Sequence, residues 1–255
     1  MYSYLELDLL RTLMLDYTTK CNALCLRCAR NVDGKYLNKN MPIADMPWNI
    51  FEKFFKETIN YIDRIDYCGN FGDPILHPDL IKGINWLRNI DDPSARKQLD
   101  RKDLFIDVAT NGGVNHPTWW AELATSLNGI GTVTFGIDGL EDTNDIYRRQ
   151  VNWKKLMLNV EAFINAGGVA DWQFILFEHN THQLKEAEEL SKNMGFNKFF
   201  TIDNYDRISE DTGGTDAEAY INHFLNQEDN IGAKTKKYET TIVTNKSEHK
   251  EQNIK

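Results

Sequence analysis

The chain has 255 residues and a formal net charge of −9, with 41% hydrophobic and 11% aromatic residues. That length buries one large core or two small ones, and the acidic balance argues against non-specific nucleic-acid binding. Apolar runs no longer than the likes of Phe174-Ile175-Leu176-Phe177 exclude a membrane-spanning helix, and only four cysteines exclude a disulfide framework.

The N-terminal stretch MYSYLELDLLRTLMLDYTT has no basic start, no long apolar run and no small-residue cleavage site, so the expected location is cytoplasmic. Within it, residues 11–17 (RTLMLDY) read as a short strand that runs into the loop TTKCNALCLRCARN, residues 18–31. Cys21, Cys25 and Cys28 follow C-x3-C-x2-C there, which places three of the four cysteines in one loop.

Three thiolates on one loop can ligate three irons of a [4Fe-4S] cube and leave the fourth iron open to a small molecule. Zinc is the rival. A closed zinc site wants four ligands, usually as two pairs, and no second pair exists, although Cys68 or His77 is available as a fourth ligand. The remaining reading is a chance cluster of buried cysteines, against which stand the polar neighbours Lys20, Asn22, Arg27, Arg30 and Asn31.

Beyond the loop, residues 46–62 repeat apolar positions at helical spacing: Ile50, Phe51, Phe54, Phe55, Ile59 and Ile62. A strand is expected at 64–68 and a helix at 79–90; a strand at 104–110 and a helix at 117–127 that opens on Pro117. Then follow a strand at 131–137, a helix at 153–167 stopped by Gly167-Gly168, and a strand at 171–177. A helix at 181–195 has Thr181 as N-cap and Gly195 as stop, and a strand at 198–202 closes the series.

Strands alternating with helices imply right-handed crossovers and a parallel sheet. Each strand's C-terminal end carries polar or glycine residues, which a barrel gathers around one mouth. The expected fold is therefore α/β, a partial (β/α)6 TIM-like open barrel with parallel strands over residues 1–203. A loop, a short helix at 217–227 and a polar, partly disordered C-terminal tail are expected over 204–255.

The cysteine loop after the first strand of a β-α series resembles that of the radical S-adenosylmethionine (SAM) superfamily. The resemblance continues in order along the strand ends. Cys68-Gly69-Asn70-Phe71-Gly72-Asp73-Pro74 is similar to the family's Gly-Gly-Glu-Pro motif, and Thr110-Asn111-Gly112 to a common family triplet. Gly136-Ile137-Asp138-Gly139 with Tyr147-Arg148-Arg149 resembles the Ser-x-Asp-Gly…Arg stretch of the peptide-modifying and cofactor-maturing branches. Phe174 to Asn180 stands where the family lines its adenine pocket. There are departures: Arg27 replaces an aromatic residue before the third cysteine, Asp73 replaces Glu, and Gly136 replaces Ser.

The resemblance implies a radical SAM enzyme, in which one electron from a [4Fe-4S] cluster cleaves SAM to a 5′-deoxyadenosyl radical that takes hydrogen from a substrate. Cys21, Cys25 and Cys28 would hold the cluster. Asn70, Gly72 and Asp73 would receive the SAM amino group, Thr110 and Asn111 the ribose or ammonium, Gly136 and Asp138 the ribose, Arg148 the carboxylate and Phe177 the adenine. Implied partners are SAM, a peptide or small-molecule substrate, and an electron donor such as flavodoxin or ferredoxin. All four cysteines lie at or before residue 68, so an extension carrying auxiliary clusters is not expected.

The residues also admit plainer roles. Asp138-Gly139 can be a turn, Gly69 and Gly72 can serve a tight loop, and Arg148-Arg149 can be a solvated helix start paired with Glu141 and Asp142. Cys68 reads as a small buried residue, and Trp119-Trp120 and Phe54-Phe55 read as core. His77, His179 and His182 show no metal-like spacing. The alternative function is a catalytically silent iron-sulfur or zinc-binding scaffold.

Overall fold

The computed structural model describes residues 9–32 and 34–203. The tail expected over 204–255, with its helix at 217–227, lies outside the described residues.

The first strand, β1 (Thr12–Leu15), is followed by a small antiparallel hairpin of its own, β2 (Asn31–Val32) with β3 (Tyr36–Leu37). The main sheet continues from β1 through β4 (Arg64–Tyr67), β5 (Phe105–Thr110), β6 (Gly131–Gly136), β7 (Ala170–Ile175) and β8 (Lys198–Ile202). The order of these six in the sheet is their order in the chain, and every pair is parallel. A sheet that never reverses its winding direction sends every crossover over the same face, as in a barrel, and here β1 and β8 leave it open.

The covered face is apolar at every second position. Ile65 and Tyr67, Ile106 and Val108, Val133 and Phe135, Trp172 and Phe174 are all buried. The opposite face carries Met14, Asp66, Asp107, Thr134 and Gln173, in partial contact with solvent except for Thr134.

Among the described residues, seven helices lie between the strands: α1 (Trp48–Thr58), α2 (Leu80–Ile90), the short α3 (Pro93–Gln98), α4 (Pro117–Leu127), the one-turn α5 (Asn144–Tyr147), α6 (Trp153–Asn165) and α7 (Leu184–Met194). The long ones cover the first face. Phe51 and Phe55, one turn apart on α1, are buried, with Phe51 against Tyr17 at 5.0 Å between ring centroids. Trp120 of α4 meets Phe135 at 5.3 Å, and Phe163 of α6 meets Phe135 at 5.9 Å. The capping chemistry is local: Pro117 opens α4, the Asn152 side chain accepts from the Lys155 N–H at the start of α6, and Gly195 ends α7 at φ +87°.

Several expectations are corrected. The first strand is only Thr12–Leu15, because Tyr17 and Thr18 leave the sheet for the cysteine loop. The helix expected at 46–62 ends at Thr58 and continues as a 3₁₀ turn, Ile59–Tyr61. Ile50 and Phe54 face outward, 51% and 39% exposed, and Trp119 is only half-buried. A 3₁₀ turn, Thr181–Gln183, precedes α7, so Thr181 bonds the Phe177 and Glu178 carbonyls instead of capping the helix. The sequence reading missed the hairpin of β2 with β3 and the short helices α3 and α5.

Candidate functional site

Because the sheet is parallel, the loops that follow β1, β4, β5, β6 and β7 emerge at one end. The loop after β1 carries the cysteines. The Asp73 N–H donates to the Lys20 carbonyl at 2.7 Å, so the loop after β4 lies flat against it. Gly72 is required there, since a Cβ would stand 2.0 Å from the Thr18 oxygen. The Arg30 Nε donates to the Thr19 carbonyl at 2.8 Å, and the Asn31 N–H to the Cys28 carbonyl at 2.8 Å, which folds the loop back on itself.

Donors point at the thiols. The Ala23 N–H lies 3.4 Å and the Asn111 Nδ2 3.7 Å from the Cys21 sulfur, and the Arg148 charge acts on Cys25. Burial, seconded by the Asp73 charge, pushes the Cys21 thiol up to about 12. Burial also raises Cys25, with Arg148 opposing. Cys25 feels the charge of Cys28, and Cys21 that of Cys25, so the three thiols share one neighbourhood. Among the described residues no three His, Cys, Asp or Glu side chains converge on one point as the ligands of a single ion must. Three cysteines on a cube each take a different iron and need no common point. The soft sulfur donors and the hydrogen bonds aimed at them fit such a cluster.

Asp73 is buried and acts as the hub of the next layer. Its Oδ2 accepts from the Asn111 N–H at 2.8 Å, Asn111 Nδ2 at 2.6 Å and the Thr110 hydroxyl at 3.1 Å, while Oδ1 accepts from the Ile75 N–H at 3.3 Å. Burial raises its carboxyl above the ordinary value despite these donors. Asn111 Nδ2 reaches on to Asn22 Oδ1 at 3.0 Å, tying the hub to the cysteine loop. Thr110, Asn111 and Asp73 are thus brought together, with their polar groups bonded to one another.

Asp138 is fully buried. Its Oδ2 accepts from Arg148 Nε at 2.6 Å, and its Oδ1 from the Ile175 N–H at 2.7 Å. Gly136 lies under the same guanidinium, where a Cβ would stand 2.4 Å from Nη2. Phe177 is half-buried between Tyr147 (4.4 Å between centroids) and His179 (5.2 Å, planes 14° apart), an aromatic platform beside Arg148. Asn70 is exposed, its amide 3.3 Å from the Cys68 sulfur.

Cys68 is buried at the end of β4, its thiol directed at Asp16 Oδ1 (3.7 Å), which is the plainer of its two readings. His77 stacks on Tyr17 with centroids 3.5 Å apart; Nδ1 accepts from the Asp79 N–H, so Nε2 donates to the Met46 carbonyl. Asp142 binds Gln183 and leaves Arg148 to Asp138. Asn22 was named only as a polar neighbour, and Tyr147, Arg149 and His179 stood inside quoted stretches without roles of their own. For Arg149 and Tyr147 the signal was adjacency to Arg148.

No protein-family model and no curated protein matches the chain. Solved structures do. A histidine-tagged anSMEcpe with bound AdoMet is 16% identical with a TM-score of 0.59, over 76% of this chain and 49% of that one. Streptococcus suis SuiB bound to S-adenosylmethionine is 15% identical with a TM-score of 0.54, over 86% and 48%. The radical S-adenosylmethionine methyltransferase TsrM from Kitasatospora setae, with cobalamin and a [4Fe-4S] cluster bound, is 10% identical with a TM-score of 0.53, over 76% and 36%. The chain spans about half the length of the first two.

Proposed function

On the fold that the chain shares with these radical SAM enzymes, we propose that residues 1–203 form a radical SAM core acting on a peptide or protein side chain. A [4Fe-4S] cluster supplies, when bound, the electron that splits SAM reductively to a 5′-deoxyadenosyl radical able to abstract hydrogen. Cys21, Cys25 and Cys28 hold the cluster. Asn70 and the backbone of the loop after β4 would receive the SAM ammonium, Phe177 with Tyr147 and His179 would offer the adenine a stacking surface, and Asp73 fixes Thr110 and Asn111 beside the loop. The polar face of the sheet, where Asp66, Asp107 and Gln173 are partly exposed, would be the side open to a substrate.

The observation that carries this reading is the pair of donors beside the Cys21 sulfur, the Ala23 N–H and the Asn111 amide, with the Arg148 charge acting on Cys25. Donors so placed suit sulfur that binds iron, whose own charge would offset the burial that raises Cys21 and Cys25. The peptide substrate is supported by two of the similar structures, SuiB bound to its precursor peptide SuiA and anSMEcpe with a Cp18Cys peptide. No helix among the described residues is long and apolar enough to cross a membrane. Four free cysteines suit the reducing cytoplasm, where flavodoxin or ferredoxin would supply the electron.

A second reading, a silent iron-sulfur scaffold, is favoured by one observation: Asp73, Asp138 and Arg148 already spend their polar atoms on partners within the chain. Anaerobic reconstitution with iron and sulfide, reduction and addition of SAM separates the two. Formation of 5′-deoxyadenosine supports the enzyme; a cluster without that product supports the scaffold; a chain that takes up no iron overturns both. Cys21→Ala, Cys25→Ala and Cys28→Ala each remove the brown absorbance, and Cys68→Ala keeps it.

A further inference from the structure

The thiol-bearing segment is gripped from one short stretch of chain, the turn that follows α5. The Leu24 N–H donates to the Arg149 carbonyl at 3.0 Å, and Arg149 Nη1 donates to the Gly34 carbonyl at 3.1 Å. One residue therefore bonds the loop on both sides of Cys25 and Cys28. Its neighbour Arg148 is fixed by its own bonds: its N–H donates to the Asn144 carbonyl at 2.9 Å, and Nε donates at 2.6 Å to Asp138, which is fully buried. The Leu24 bond to the adjoining Arg149 carbonyl sets this guanidinium beside the cysteine loop, where its charge opposes the burial that raises Cys25.

Each arginine rests on a glycine. A Cβ at Gly136 would stand 2.4 Å from Arg148 Nη2 and 2.9 Å from Cζ. A Cβ at Gly34, which sits at φ +60°, would stand 3.1 Å from Arg149 Nη1 and 2.9 Å from the Leu24 oxygen. Gly136 is also the position where the radical SAM motif has Ser. The departure and the arginine contact coincide, since a serine side chain there would occupy the guanidinium's place.

We infer that Arg148 and Arg149 form a clamp on the cysteine loop, in which Arg149 holds the loop shape and Arg148 is a positioning residue that tunes the cluster through Cys25. The inference rests on the cluster reading above. A guanidinium charge held beside a ligand sulfur favours the reduced, more negative cluster, so Arg148 raises the reduction potential. Arg148 is thereby committed to the protein and is not the ligand of the SAM carboxylate.

The test uses the full chain, reconstituted anaerobically without SAM, as parent, Gly136→Ser, Arg148→Gln, Arg148→Lys and Arg149→Gln. Iron per chain, resistance to a chelator and the midpoint potential from an EPR-monitored titration are read together, with circular dichroism to confirm folding. Gly136→Ser and Arg148→Gln shift the midpoint to more negative values, and Arg148→Lys recovers part of the shift. Arg149→Gln retains iron roughly tenfold less well, the scale on which outer-layer partners of metal ligands act. Should Arg148→Gln fail to fold, Gly136→Ser still decides, because it keeps both members of the Asp138–Arg148 pair. Full iron and an unchanged midpoint in the folded variants overturn the clamp, and so does an Arg148 effect confined to SAM affinity. A parent chain that binds no cluster overturns the cluster reading itself, and the clamp with it.

Discussion

Asp138 and Arg148 show at the level of single residues what sequence could and could not reveal. Both stand out by motif, but their pairing does not. Glu141 and Asp142 are nearer in sequence, yet α5 turns the chain back so that Arg148 reaches Asp138, ten positions away, at 2.6 Å. A one-turn helix has too few positions to leave a periodic signal. The three cysteines were legible because a loop's ligand spacing is local, whereas the Asn111 amide beside Cys21 and the Arg148 charge acting on Cys25 come from distant residues and depend on tertiary structure. Asp138→Ala strands the Arg148 guanidinium, 16% exposed, without its carboxylate. A loss of about 3–5 kcal/mol in stability is expected from urea unfolding, as for other half-broken buried pairs. The double variant Asp138→Ala/Arg148→Met recovers most of it.

Among the elements, the six sheet strands and five long helices were legible because each spans enough residues to show its period. The two-residue strands β2 and β3 were not, since their pairing depends on Gly34 turning the chain. Two contacts between elements are open to experiment. Gly72→Ala places a methyl 2.0 Å from the Thr18 oxygen and pushes the loop after β4 off the cysteine loop. A loss of about 1–3 kcal/mol is expected, as for overpacked cores, together with weaker iron retention, read by thermal unfolding and iron analysis. The second is the polar ladder across β4, β5 and β6. Asp107 accepts from Thr132 and Thr134 of β6 and pairs with Arg64 of β4 at 3.1 Å, yet burial still holds its carboxyl above the ordinary value. A raised folded-state value means that the folded chain binds the proton more tightly than the unfolded one. The contribution of Asp107 to stability is therefore greatest below the ordinary carboxylate value and declines as pH rises through the raised one. Asp107→Asn flattens the stability-against-pH curve in that window. A variant curve parallel to the parent's contradicts the assignment.

At the scale of the molecule, a sheet wound in one direction makes the rest possible. Parallel strands in chain order bring five loops, distant in sequence, to one end of the sheet, and the helices occupy the other face. This much followed from the alternation of strand and helix patterns along the sequence. The division of labour at that end did not. Most residues singled out as SAM contacts are bonded to one another, and they build a frame around the thiols. The frame accounts for three cysteines without a fourth, since it shapes one loop and leaves Cys68 to its own partners, Asp16 and Asn70. The most direct test is the EPR spectrum of the anaerobically reconstituted, reduced chain recorded before and after SAM is added. A [4Fe-4S] signal whose g-values move on addition, with loss of the signal in each of the Cys21, Cys25 and Cys28 alanine variants, is the expected result. A chain that holds no iron, or a signal indifferent to SAM, contradicts the account.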